Sequence, residues 1–170
     1  LPPLPKPGDT NGDNLVDIET VIGSAFADTL AGSLSADTLH GGAGNDTLDG
    51  NNGDDQLFGG DGRDLMKGSL GKDTYWGGAG IDTVNYVGDN VTGDVVVNML
   101  APNKSSGWAQ GDIFHDVERI ETGGGNDKLT GNGDANALSA GWGIDTLVGG
   151  GGNDDLYGGL GNDTVDGGLG

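Results

Sequence analysis

Residues 41–85 divide without remainder into five units of nine: GGAGNDTLD, GNNGDDQLF, GGDGRDLMK, GSLGKDTYW and GGAGIDTVN. Each has Gly at its first and fourth positions, Asp at its sixth (Asp46, Asp55, Asp64, Asp73, Asp82) and a large, mostly apolar residue at its eighth (Leu48, Leu57, Met66, Tyr75, Val84). No other property of the chain restricts its fold as strongly. The six Gly-rich positions read as a turn, because Gly enters positive-φ conformations and lets neighbouring backbones approach. The other three read as a short strand whose eighth side chain points one way and its neighbours the other. So short a strand has no core of its own. Two units therefore make one coil of a flattened helix, with a strand on each side, and coils stack at roughly the 4.8 Å spacing of paired strands. The column of eighth positions becomes the core.

Stacking also brings the loops into register, pairing Asp46 with Asp64, Asp55 with Asp73 and Asp64 with Asp82. Like charges this close are unfavourable unless something neutralises them. A hard cation taking six to eight oxygens from carboxylates and backbone carbonyls meets the need, and calcium tolerates such flexible geometry better than magnesium. On these residues the units resemble G-G-x-G-x-D-x-U-x, the haemolysin-type calcium-binding nonapeptide of the repeats-in-toxin (RTX) family. The resemblance implies an all-β fold, a right-handed parallel β-roll or β-helix solenoid with calcium between stacked loops, and about five to eight ions. It implies that the metal loops of this run contain Gly42, Gly44 and Asp46, then Gly53 and Asp55, then Gly60, Gly62 and Asp64. Gly71 and Asp73, followed by Gly78, Gly80 and Asp82, complete the set.

Two weaker units precede the run, GSAFADTLA (23–31) and GSLSADTLH (32–40). They keep Asp28, Asp37, Leu30 and Leu39 but place Phe26 and Ser35 at the fourth position, so the coil is expected to persist with impaired metal binding. Asp37 is retained as a candidate ligand. Between Tyr86 and Asp112 the nonapeptide disappears, although residues 95–100 (VVVNML) have strand propensity and are expected to continue the stack without metal. Ile120-Glu121-Thr122 echoes Ile18-Glu19-Thr20, and a second run follows: TGGGNDKLT, GNGDANALS, AGWGIDTLV, GGGGNDDLY and GGLGNDTVD. Its candidate metal residues are Gly123, Gly125 and Asp127; Gly143 and Asp145; Gly150, Gly152 and Asp154; and Gly159, Gly161 and Asp163. Asn136 replaces one sixth-position Asp and Asp134 one fourth-position Gly, so the Asn136-Asp154 pairing is expected to be the weakest of this run. The expected divisions are a linker and cap over 1–13, repeats over 14–85, a non-repeat segment over 86–121 and repeats over 122–170.

Composition bounds what such a chain does. Hydrophobic residues make up 33% and Gly accounts for 38 of 170, which leaves too little for a conventional core. The net charge of −20 repels nucleic acid and anionic membranes and favours disorder where no cation is present. There is no cysteine, hence neither disulfide framework nor thiolate site. No apolar run reaches the length of a membrane helix. Leu1 to Gly8 reads as a stiff Pro-rich linker, and the partial unit at Gly167 to Gly170 points to a piece of a longer protein. Asp9 to Asp17 resembles the start of an EF-hand or dockerin loop, but Asn14 and Thr20 stand where Gly and a bidentate acid are needed, so a polar cap is expected instead.

No nucleophile with a placed base is present, so the chain is not expected to be an enzyme. His40 reads as a solvated strand residue and His115 as structural. Of Trp76, Trp108 and Trp142, Trp108 is the best candidate to stack on a sugar, though packing is the expected role. The third positions carry no Thr row, which excludes an ice-binding face. The function expected is calcium-dependent folding of an exported module. The resemblance further implies a secreted bacterial substrate of type I secretion, with its signal beyond Gly170. The parent expected is either an adhesin or matrix protein, or an extracellular enzyme (glycanase, protease or alginate epimerase) carrying this stretch as an accessory carbohydrate-binding or C-terminal module, with cell-surface or extracellular polysaccharide as the candidate partner.

Overall fold

The computed structural model describes residues 19–88 and 93–170. The linker, cap and EF-hand-like loop expected before residue 19 lie outside the described residues. Strands are numbered in chain order. One face of the molecule carries β1 (Thr20–Ile22), β3 (Thr38–Ala43), β5 (Gln56–Gly62), β7 (Thr74–Gly80) and β10 (Ile113–His115) as a five-stranded sheet. The opposite face is a seven-stranded sheet of β2 (Thr29–Ala31), β4 (Thr47–Asp49), β6 (Leu65–Lys67), β8 (Thr83–Asn85), β11 (Arg119–Glu121), β13 (Ala137–Ser139) and β16 (Asp155–Tyr157). A four-stranded sheet contains β9 (Val96–Asn98), β12 (Lys128–Thr130), β15 (Thr146–Val148) and β18 (Thr164–Asp166). Two further short strands, β14 (Trp142–Gly143) and β17 (Leu160–Gly161), pair along a loop edge.

Every strand pair in these sheets is parallel, and successive strands of a face in the repeat runs are offset by two units, as in Leu39 with Leu57 and Leu57 with Tyr75. The chain is thus an all-β solenoid of about eight turns. Its core is the column of eighth positions: Leu39, Leu48, Leu57, Met66, Tyr75, Val84, Ile120, Leu129, Leu138 and Leu147 are all fully buried.

The interruption is a dislocation of one face. β10 stacks on β7, but β12 stacks on β9, which precedes β10 in the chain. The first face therefore breaks into two sheets, while the second runs unbroken from β8 through β11 to β13. Residues 93–98 also correct the sequence reading, which found no nonapeptide here. Gly93 has the positive φ (138°) of a fourth-position Gly, Val97 points into the core in register with Leu129, and Val95 stands where Asp would be. Without that Asp the unit is invisible to the motif. The expected strand over 95–100 stops at Asn98, whose Oδ1 accepts the Ala101 N–H at 2.7 Å and turns the chain into a 3₁₀ turn at Pro102–Lys104.

In-register stacking also aligns the ninth positions. On the five-stranded face these are His40, Phe58, Trp76 and His115, whose rings stack with centroids 4.5, 4.3 and 5.3 Å apart and planes within 15°. His40 is therefore half-buried against Phe58, not a freely solvated residue. Both faces of Trp76 are covered by Phe58 and His115, which removes it as a sugar platform. Trp108, the expected best platform, packs partly buried against the core, whereas Trp142 is exposed.

Candidate metal centres

Each rung of the solenoid's loops is built around one repeated contact. The N–H of a sixth-position Asp donates to Oδ1 of the Asp one coil further on: Asp46 to Asp64 at 2.8 Å, Asp64 to Asp82 at 2.9 Å, and Asp55 to Asp73 at 3.0 Å. The second run repeats it from Asp127 to Asp145 at 2.7 Å and from Asp145 to Asp163 at 3.0 Å. The stacked pairs expected from the period are thus in contact through the main chain. The second oxygen is left over. Oδ2 of Asp46, Asp55, Asp64, Asp73, Asp82, Asp127, Asp145 and Asp154 is buried with no hydrogen-bond partner. Eight such atoms in one small protein are far outside the norm, because a buried carboxylate oxygen without a partner loses its hydration for nothing.

Six of these oxygens, those of Asp46, Asp55, Asp64, Asp73, Asp82 and Asp154, face a small cradle at the first Gly of their unit. At Gly41, a Cβ would stand against Asp46 Oδ2 and 2.6 Å from Gly59 O of the next coil. At Gly59 the same place is bounded by Asp64 Oδ2 and by Gly77 O at 2.7 Å. Among the described residues no three His, Asp or Glu side chains converge on one point. A cation in these cradles must therefore draw on backbone carbonyls as well as carboxylates, an all-oxygen donor set that fits calcium and does not fit zinc or copper.

The second position of each unit sorts the loops. In the two weak units Ser24 and Ser33 stand there, and each turns its N–H and hydroxyl onto the carboxylate of its own loop. Asp28 Oδ2 accepts both from Ser24 at 2.6 and 2.8 Å, and Asp37 Oδ2 accepts both from Ser33 at 2.6 and 2.9 Å. At Asn132 the backbone N–H alone does so, donating to Asn136 Oδ1 at 2.8 Å. Most of the other units have positive φ at this position, including the non-glycines Asn51 (64°) and Ser69 (65°), and the carboxylate Oδ2 stays unpaired. The weak units differ from the others at two positions: Phe26 and Ser35 lack the positive φ of the fourth-position glycines, and two residues earlier a hydroxyl-bearing residue without positive φ satisfies the acid internally. Asp37, an expected ligand, therefore has its Oδ2 already engaged. Fourth-position glycines behave as expected, with Gly44, Gly53, Gly71, Gly125 and Gly143 all at positive φ.

The interruption alters one edge. Asp73 N–H donates to Asp112 Oδ1 at 2.9 Å in place of a repeat Asp, but Asp112 Oδ2 is taken by the buried Tyr86 hydroxyl at 2.6 Å. Val95 N–H donates to Asp127 Oδ1 at 2.8 Å while offering no carboxylate. Asp112 escaped the motif search because Gly111 sits one place late, although Asp-x-apolar-x was present in Asp112 to His115.

Burial raises these acids. Asp73 is pushed up to about 8, and Asp55, Asp82 and Asp112 to about 6, with desolvation the largest cause in each. Asp46, Asp64 and Asp145 are raised by burial too, and the stacked Asp of the preceding coil adds to it while that coil's N–H pulls the other way. An unfolded Asp titrates near 3.8. Between that value and the raised one the folded chain binds more protons than the unfolded chain. The calcium-free fold therefore gains stability as pH falls from about 8 toward 4 and loses it as pH rises. In chelator, where the chain is open at pH 8, acidification to pH 5 should bring back part of the far-UV β signal. No gain of β signal over that range would contradict the assignment of the buried acids.

Asp64 and Asp37 give a second comparison. Asp64→Ala leaves the Asp46 N–H without its acceptor, at about 1–3 kcal/mol, and removes a carboxylate from two rungs. Asp37→Ala loses chiefly the Ser33 bonds, about 1 kcal/mol net. In saturating calcium the calorimetric midpoint should fall clearly further for Asp64→Ala, and equal shifts would refute the ranking of loops.

A parallel solenoid whose loop columns carry unpartnered carboxylates against Gly carbonyls defines a metal-binding β-roll. The model of the RTX calcium-binding nonapeptide repeat matches this chain four times, over residues 16–48, 49–84, 116–147 and 139–170, and the chain belongs to that family. No curated protein matches it.

Proposed function

We propose that this calcium-binding chain is a folding module of a secreted bacterial protein, held open where calcium is scarce and closed by calcium outside the cell. The observation that carries the reading is the set of eight buried Oδ2 atoms without partners. When bound, calcium supplies the positive charge that these oxygens and the adjacent Gly carbonyls otherwise lack. The ligands we assign are the sixth-position carboxylates from Asp46 to Asp82 in the first run and Asp127, Asp145, Asp154 and Asp163 in the second, with carbonyls of the glycine loops between them. Without the cation, the net charge of −20 and the chain entropy of a Gly-rich polymer oppose stacking. Each tenfold excess of free calcium over Kd adds about 1.4 kcal/mol per site, so several sites together outweigh a narrow core.

The two runs, 14–85 and 122–170, act as calcium-binding blocks joined by 86–121. Export by type I secretion agrees with the absence of cysteine and with a fold that waits for extracellular calcium. One reading of the parent is an adhesin or matrix protein in which this module is a spacer. The second reading, a tail of an extracellular enzyme that touches polysaccharide, rests on the exposed Trp142, paired in register with the exposed Leu160. Chelation followed by calcium readdition tests the proposal: β-structure should disappear and return, and a fold indifferent to calcium overturns it.

A further inference from the structure

A regular rung has three marks. Between the loops ending at Asp64 and Asp82, the Asp64 N–H donates to Asp82 Oδ1 at 2.9 Å, Asp64 Oδ2 is buried without a partner, and Gly77 O lies 2.7 Å from where a Cβ on Gly59 would stand. One coil further on there is no nonapeptide, yet all three marks recur. Asp82 N–H donates to Glu118 Oε2 at 2.8 Å. Asp82 Oδ2 is unpartnered in a side chain that is 0% exposed. The place of a Cβ on Gly77 is bounded by Asp116 O and by Asp82 Oδ2 at 2.7 Å.

The unit that supplies these groups, Asp116 to Glu121, has only six residues, three fewer than a repeat. Two features make up for the shorter loop. Asp116 adopts φ 50°, a left-handed conformation uncommon for a residue with a side chain, which accompanies the placing of its carbonyl where a repeat places that of its first Gly. Glu118 is one methylene longer than Asp and so reaches the Asp82 N–H from a truncated loop. On the other edge of the same coil Asp73 Oδ2 is likewise unpartnered, but the carboxylate that faces it from the interruption, Asp112, has its second oxygen taken by the Tyr86 hydroxyl.

We propose that Asp82, Glu118 and the Asp116 carbonyl form an additional calcium site at the interruption, made largely by residues outside the nonapeptide. It rests on the reading that unpartnered Oδ2 atoms face calcium. Two carboxylates and a carbonyl match the hard, oxygen-only preference and loose geometry of that ion. The site lies on the edge of the seven-stranded sheet, between β8 and β11, the face that remains continuous where the other is dislocated. Calcium there staples the two repeat runs together, so that they respond to the ion as one body.

Glu118→Gln keeps an amide oxygen to accept the Asp82 N–H while removing the charge. Native mass spectrometry of the full chain in calcium should count one ion fewer in E118Q than in the wild type. An unchanged count in E118Q overturns the site. Calcium-soaked crystals of the wild type decide the matter without any substitution. An ion at roughly 2.3–2.6 Å from both Asp82 Oδ2 and Glu118 supports the site, and an empty rung there beside a filled Asp64-Asp82 rung rejects it. A wild-type chain that takes up no calcium anywhere fails the functional reading itself, and this site with it.

Discussion

Gly62→Ala should lower the thermal midpoint in calcium by roughly 6 °C or more, while Gly133→Ala should leave it almost unchanged. Gly62 is a fourth-position glycine at φ 148°, and a Cβ there would overlap Gly44 O of the preceding coil. The obstacle is backbone, so no side-chain rotation relieves it. Gly62 O in turn occupies the place of a Cβ on Gly80, so any shift is passed to the next coil. Strained φ alone costs about 1–3 kcal/mol, and forcing two coils apart adds to that. At about 2–4 °C per kcal/mol for a domain of this size, a penalty near 3 kcal/mol gives the stated fall. At Gly133 nothing lies within 4 Å of an added Cβ, and φ is not in the positive range. Differential scanning calorimetry of the two variants is the check. Equal midpoints would mean that coil spacing does not limit the fold.

The period alone carried much of this structure. Because one strand pairs with the strand two units on, the core column from Leu39 to Val84 and the stacked carboxylates could be written down from the spacing of Asp and Leu. What the sequence hid were properties that appear only once units are stacked. His40, Phe58 and Trp76 look unrelated along the chain, and become a ladder only when every second unit is compared. Ser33 and Ser69 occupy the same position in their units, yet the first satisfies Asp37 and the second does not satisfy Asp73. That choice of φ depends on the whole loop and not on residue type. The dislocation was hidden for a different reason. Pairing of β9 with β12 across the later strands β10 and β11 is long-range, and Val95 removed the single residue that would have marked the unit. Glu118 was missed because three residues are deleted from its unit, which moves it out of phase with every repeat before it.

The central claim is that the buried, unpartnered carboxylates make folding conditional on calcium. Each of the eight oxygens is a standing penalty in the calcium-free fold, and the raised acids from Asp55 to Asp82 express that penalty as a tendency to take up protons instead. On the proposed reading, saturating calcium supplies these same oxygens with the partner they lack. Because a carboxylate such as Asp64 faces both neighbouring coils, sites share ligands and should fill together, giving a steep transition. Magnesium, which demands near-octahedral geometry and sheds its water reluctantly, should not replace calcium at equal concentration. Far-UV circular dichroism of the chelated chain during calcium titration tests this most directly. The expected result is loss of the β spectrum in chelator and its cooperative return with calcium. A β spectrum unchanged from the chelated to the saturated chain would contradict the account.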